Sequence, residues 1–116
     1  MTALPQVSLA GRIVLVTGGT QGIGEGIARA AAEAGAAGIC ITGRDAARGA
    51  RVADALGVPA CFIAADLADA AATARIVEQA EAALGPVDAL VNAAGLTDRG
   101  TITDTPVELW DRLFAV

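Results

Sequence analysis

Four short apolar runs, "RIVLVT" (12–17), "GICIT" (38–42), "ACFIA" (60–64) and "DALVNA" (88–93), recur along the chain, each separated from the next by an alanine-rich segment of helical period. This alternation narrows the fold more than any other feature. The runs are short and continuous, as strands covered on both faces of a parallel sheet are. The first helix is expected to start near Gly22 and stop before Gly35, with Ile23, Ile27, Ala31 and Ala34 on one face. The second begins after Asp45, a plausible N-cap, and ends before Gly57. The third follows Asp69 and ends at Gly85 and Pro86, with Ile76, Ala80 and Ala83 inward. Right-handed crossovers turn that order into an open parallel α/β sheet. The glycine-rich first turn selects the doubly wound, dinucleotide-binding version with spatial order 3-2-1-4.

After "NAAG" comes a polar loop, "LTDRGTITDT", and then "PVELWDRLFAV", which reads as a helix with Pro106 at its first position. Val107, Trp110, Leu113 and Phe114 fall along one face. No Gly, Asn or polar terminus closes that helix. The expectation is therefore a single Rossmann-like domain, residues 1–116, cut off after the helix that follows the fourth strand. A parallel edge left open beside an apolar helix face predicts self-association or pairing with a further segment.

Composition excludes several function classes. Eight basic against thirteen acidic residues give a net charge of −5 with no basic block, which removes the electrostatic footprint of a nucleic-acid binder. The N-terminus has no basic segment followed by an apolar core. No run approaches the roughly 18 apolar residues of a membrane span, so a cytoplasmic protein is expected. Cys40 and Cys61 are 21 residues apart, each inside an apolar run, which suits buried thiols better than a metal or redox motif.

Gly18, Gly22 and Gly24 lie between the first apolar run and the first helix in the spacing GxxxGxG. This is neither GxGxxG nor a P-loop, since no Lys follows. The physical demand is the same: glycines let the backbone turn sharply and approach a pyrophosphate, while the helix N-terminus offers unpaired N–H groups. The plainer alternative is a tight turn without ligand. Three glycines would weaken a turn that ordinary residues can make.

"TGGTQGIG" (17–24) resembles the TGxxxGIG motif of short-chain dehydrogenases/reductases, "NAAG" (92–95) resembles that family's NNAG, and "DL" (66–67) its adenine-contacting Asp-aliphatic pair. The similarity runs over the whole chain, including "GPVDALVNAAG" and "TPVELWDRLFAV". Ala93, where the family commonly has a second Asn, is a departure. The resemblance implies that the loop formed by Thr17, Gly18, Thr20, Gln21, Gly22, Ile23 and Gly24 wraps the pyrophosphate and adenosine ribose, with the Ile23 N–H aimed at phosphate. It implies that Asp66 accepts from the adenine amino group with Leu67 beside it. Asn92, Ala93, Ala94 and Gly95 would border the riboses. The bland readings are a helix cap for Asp66 and an ordinary strand end for 92–95.

An acid at the end of the second strand would bond the 2′-OH of NAD, whereas an Arg pairs with the 2′-phosphate of NADP. In "ITGRD" the acidic position of NAD-using relatives corresponds to Gly43, and Arg44 follows, so NADP is favoured over NAD. Asp45 next door, and Gln21 where many NADP-using relatives carry a second basic residue, argue the other way.

The family's hydride transfer depends on Ser, Tyr and Lys in a YxxxK arrangement, helped by an Asn that would follow Val116 if "FAV" begins a "FAVN" segment. The chain has no Tyr and no Lys. The resemblance thus implies the cofactor half of an oxidoreductase acting on a carbonyl or secondary alcohol, often a homo-oligomer, with these 116 residues inactive alone. A non-catalytic nucleotide-binding or oligomerising module is the alternative. An adenosyl-methionine methyltransferase would want an acid where Gly43 and Arg44 stand.

Overall fold

The apolar runs form one parallel sheet in the order β3-β2-β1-β4, built from β1 (Ile13–Thr17), β2 (Gly38–Gly43), β3 (Ala60–Ala64) and β4 (Ala89–Asn92), as the crossover rules require. This is a computed structural model that describes residues 7–96 and 100–116. Residues 97–99, part of the expected polar loop, lie outside the described residues, as do residues 1–6. Leu15 pairs with Cys40 on one side and Leu90 on the other, and Cys40 pairs with Cys61. Asp88 fixes the register of β4: the Ile13 N–H donates to its Oδ2 at 2.8 Å, and its own N–H donates to the Ile13 carbonyl at 2.9 Å.

Double coverage holds for the two central strands only. Val14, Val16, Ile39 and Ile41 are buried on one face against Ala28 and Ala31 of α1 (Gly22–Glu33) and Val52 of α2 (Ala46–Ala55). Leu15, Cys40 and Ile63 are buried on the other, against Ile76 and Ala80 of α4 (Ile76–Leu84). Edge strand β4 instead alternates half-buried and exposed positions, with Leu90 at 54% exposure. Only one neighbouring strand shields it.

The helices correct several expectations about facing. In α1 the inward residues are Gly24, Ala28 and Ala31, while Ile23 is 78% exposed and Ala34 is the C-cap. Ile23, in the first turn of this helix, lines the cleft at the strand ends instead of the core. Between Asp69 and Gly85 the single expected helix is two, α3 (Ala70–Ala74) and α4, joined at Arg75. Two residues before the joint, the Thr73 hydroxyl donates back to the Asp69 and Leu67 carbonyls, a bond of the kind that bends helices. Ala83 is exposed, and Leu84 packs inward in its place.

The last helix, α5 (Val107–Phe114), has Pro106 as its N-cap, in extended conformation, rather than at its first position. Its expected inward face is mostly outside: Val107, Trp110 and Phe114 are exposed and only Leu113 is half-buried. The rings of Trp110 and Phe114 cover each other, centroids 4.8 Å apart. The two cysteines are free thiols, Cys40 buried and Cys61 half-buried. Burial, reinforced by the neighbouring Cys61 thiol, pushes the Cys40 thiol far up, which keeps it neutral. Among the described residues no helix is long and apolar enough to cross a membrane, and no cluster of His, Cys, Asp or Glu could hold a metal.

Candidate functional site

The carboxyl ends of all four strands open onto a single cleft of about 360 Å³. Gly18, Thr20, Gln21, Ile23 and Gly24 contribute from the turn after β1, and Thr42, Gly43 and Arg44 from the end of β2. Ala65, Asp66 and Leu67 follow β3, Ala93, Ala94, Gly95 and Leu96 follow β4, and Val116 closes the rim. A crevice at strand ends, between β1, whose crossover leads to β2 over one face, and β4, reached from β3 over the other, is where open α/β sheets take ligands.

The turn after β1 needs its glycines for space as well as for conformation. Gly18 has φ +67 and Gly22 has φ +57, in the left-handed region where a side chain is strained. A Cβ on Gly18 would meet the Ala94 Cα at 2.6 Å, and one on Gly24 would meet the Gly18 carbonyl oxygen at 2.0 Å. The loop is tied to β2: the Gly19 N–H donates to the Thr42 carbonyl at 3.1 Å and the Gly18 N–H to the Thr42 hydroxyl at 3.4 Å.

The helix that starts here differs from its neighbours. Asp45 caps α2 by accepting from the Arg48 N–H, and Asp69 caps α3 by accepting from Ala71 and Ala72. The cap residue of α1, Gln21, makes no such bond. Its side chain is turned sideways, where its Oε1 accepts from Arg48 Nη1 at 2.5 Å. The first turn of α1 thus faces the cleft without a side-chain acceptor, at the end where the helix dipole is positive.

Eleven of the fourteen expected residues line this cleft; Thr17, Gly22 and Asn92 do not. Thr17 is buried behind the loop, its hydroxyl donating to Asn92 Oδ1 at 3.4 Å, while its carbonyl accepts from the Ala93 N–H at 3.2 Å. Gly22 supplies the turn. Asp66 is exposed in the cleft, and its Oδ1 accepts from the Ala68 N–H at 3.0 Å. It makes a turn and does not cap α3, which is the work of Asp69. Arg44 is exposed and makes no hydrogen bond or ion pair among the described residues.

Thr42, Ala65, Leu96 and Val116 in the cleft, and Arg48 beside it, were not anticipated. Thr42 had a signal, a polar residue closing the apolar "ICIT", whereas the others depend on how the chain folds back. Gly43 has a steric role besides: a Cβ there would stand 2.6 Å from Thr20 Cγ2.

The sequence model of the family described as short chain dehydrogenase matches residues 12–116. The chain belongs to this family. A short chain dehydrogenase of Pseudocercospora fijiensis is 42% identical over 106 residues, which cover 90% of this chain and 34% of that protein. An NADP-dependent (R)-specific alcohol dehydrogenase of Lentilactobacillus kefiri is 38% identical, over 93% of this chain and 43% of its own length. A blue fluorescent protein from a metagenomic library, solved in complex with NADPH, superposes with a TM-score of 0.85 at 37% identity, covering 93% of this chain and 46% of that one. This short-chain dehydrogenase chain therefore spans less than half the length of these relatives, and its family is one of dinucleotide-dependent oxidoreductases. The residues present fit such a cofactor, because the turn's glycines leave bare backbone where a phosphate must approach.

Proposed function

We propose that the cleft binds NADP through its adenosine and pyrophosphate, and that the chain is the cofactor-binding portion of a short-chain oxidoreductase acting on a carbonyl compound or secondary alcohol. The observation that carries this reading is the first turn of α1, which opens on the cleft with no side-chain cap while α2 and α3 each have one. An anionic pyrophosphate supplies the missing acceptor. When bound, the nicotinamide gives or takes the hydride.

The protein's own groups would bind and orient. Gly18, Thr20, Gly22, Ile23 and Gly24 present backbone to the pyrophosphate, and Asp66 has one carboxylate oxygen free of its turn for the adenine amino group. Leu67 would lie against the ring, while Asn92, Ala93, Ala94 and Gly95 border the riboses, with Thr17 holding Asn92 from behind. Arg44, charged and without a partner among the described residues, suits the 2′-phosphate of NADP, and Gly43 offers no carboxylate for the 2′-OH of NAD. The solved relative with NADPH and the NADP-dependent relative support this preference.

Without Tyr or Lys these 116 residues are expected to bind cofactor and not turn over substrate, so a purely cofactor-binding or oligomerising role is the second reading. The exposed Val107, Trp110 and Phe114 favour self-association in either case. Calorimetric titration of NADP and NAD into the chain tests the proposal. NADP binding tighter than NAD supports it, and binding of neither overturns it.

A further inference from the structure

Beside the cleft, and sharing its Thr20 and Gln21 wall, is a second hollow lined by Glu25, Arg29, Arg48 and Arg51. We infer that Arg48, held by Gln21, is a second cation for the cofactor's 2′-phosphate, completing with Arg44 a site that discriminates NADP from NAD; this rests on the NADP reading above.

Three observations point to it. Four of the chain's eight arginines line the two joined hollows, against the carboxylates Glu25 and Asp66, in a chain of net charge −5. Their commitments differ. Arg29 is bound to Glu25 at 2.8 Å. Arg48 meets a carboxylate only loosely, Asp45 at 4.0 Å, because that side chain already accepts from the Arg48 backbone N–H. Its firm contact is with the neutral Gln21, so its charge is oriented without being cancelled.

Gln21 matters as a positioning residue. With Oε1 turned to Arg48, its amide leaves the NH2 end as a donor on the wall shared by the two hollows. Arg44 lines the cleft on the other side of that wall, from the end of β2. A phosphate monoester has three acceptor oxygens and about two negative charges, which this set matches. The 2′-OH of NAD offers one hydroxyl and no charge.

The test titrates the full chain with adenosine 2′,5′-bisphosphate and with adenosine 5′-monophosphate, which differ only in the 2′-phosphate. Arg48→Ala is expected to weaken the bisphosphate at least about tenfold, the weight of one charged hydrogen bond, and to leave the monophosphate within about twofold. Arg48→Lys falls between, and Arg75→Ala, at the joint of α3 and α4 and in neither hollow, changes neither. If Arg48→Ala weakens both ligands equally, Arg48 merely braces the loop, and the inference is overturned. It is likewise overturned if Arg48→Ala spares the bisphosphate while Arg44→Ala weakens it, which leaves the NADP reading intact. If the bisphosphate binds no tighter than the monophosphate even in the unaltered chain, the NADP reading itself fails and this inference with it.

Discussion

A methyl group on Gly24 would stand 2.0 Å from the carbonyl oxygen of Gly18, closer than any two such atoms can pack. Gly24→Ala must therefore push the turn away from the helix. The expected result is a loss of about 1–3 kcal/mol in stability, read by thermal unfolding, with dinucleotide affinity reduced about tenfold or more. Gly26, two residues on, has open space around its Cβ position in the same helix. Gly26→Ala should add about 0.5–1 kcal/mol and leave binding as it was.

Arg44→Asp should weaken NADP about tenfold or more while sparing NAD, measured as the ratio of their Kd values. Moving the acid one residue earlier is a different experiment. Gly43→Asp places its Cβ 2.6 Å from Thr20 Cγ2 and displaces the loop, so it should weaken both cofactors. Equal, unchanged Kd ratios in Arg44→Asp would remove Arg44 from the specificity argument.

Asp88 accepts from the Ile13 backbone N–H at the start of the central strand, with Arg12 at 3.7 Å. Asp88→Ala removes that exposed hydrogen bond, at a cost of about 0.5–1.5 kcal/mol. Chemical denaturation would show the midpoint falling with the slope unchanged.

Two groups give opposite pH dependences. The Arg48 backbone N–H, more than any neighbouring charge, holds the Asp45 carboxyl below its usual range. Its stabilising effect is present above the ordinary carboxylate value and is lost as pH falls through the lowered one, so Asp45→Asn should flatten the acid limb of the melting curve. Cys40 behaves inversely. With its thiol raised by burial, stability is whole below the ordinary thiol value and declines as pH climbs above it, because only the unfolded chain ionises freely. Cys40→Ala should remove that alkaline decline, though it also costs packing.

If α5 mediates self-association, Trp110→Arg with Phe114→Arg should lower the sedimentation coefficient at high protein concentration and leave the melt nearly unchanged, since both side chains are exposed. A coefficient independent of concentration in the unaltered chain would count against that role.

Strand order and most helix ends were legible in the sequence because they depend on local chemistry. Asp45 and Asp69 cap helices as their side chains suggest, and Gly35, Gly57 and Gly85 follow helix ends with positive φ. Facing was less legible. Ile23 has the right period for the core of α1, but it sits in the first turn, exposed at the cleft, so periodicity alone misplaced it. The joint at Arg75 depends on the Thr73 hydroxyl reaching the Leu67 carbonyl, a contact set by where the preceding loop runs. In the site, the glycine spacing announced itself, whereas Arg48 lies four residues past the cation the motif draws attention to. Its contact with Gln21 spans 27 residues and exists only once α1 and α2 are side by side.

The bonds from Gly18 and Gly19 to Thr42 mean that the cleft's floor is a product of one particular pairing between the first two strands. A slip of a single residue there would turn Thr42 to the opposite face of the sheet, with nearly the same helix and strand content in a circular dichroism spectrum. Ligand affinity therefore doubles as an assay of correct assembly, separating a properly threaded chain from a misaligned one that spectroscopy would pass as folded.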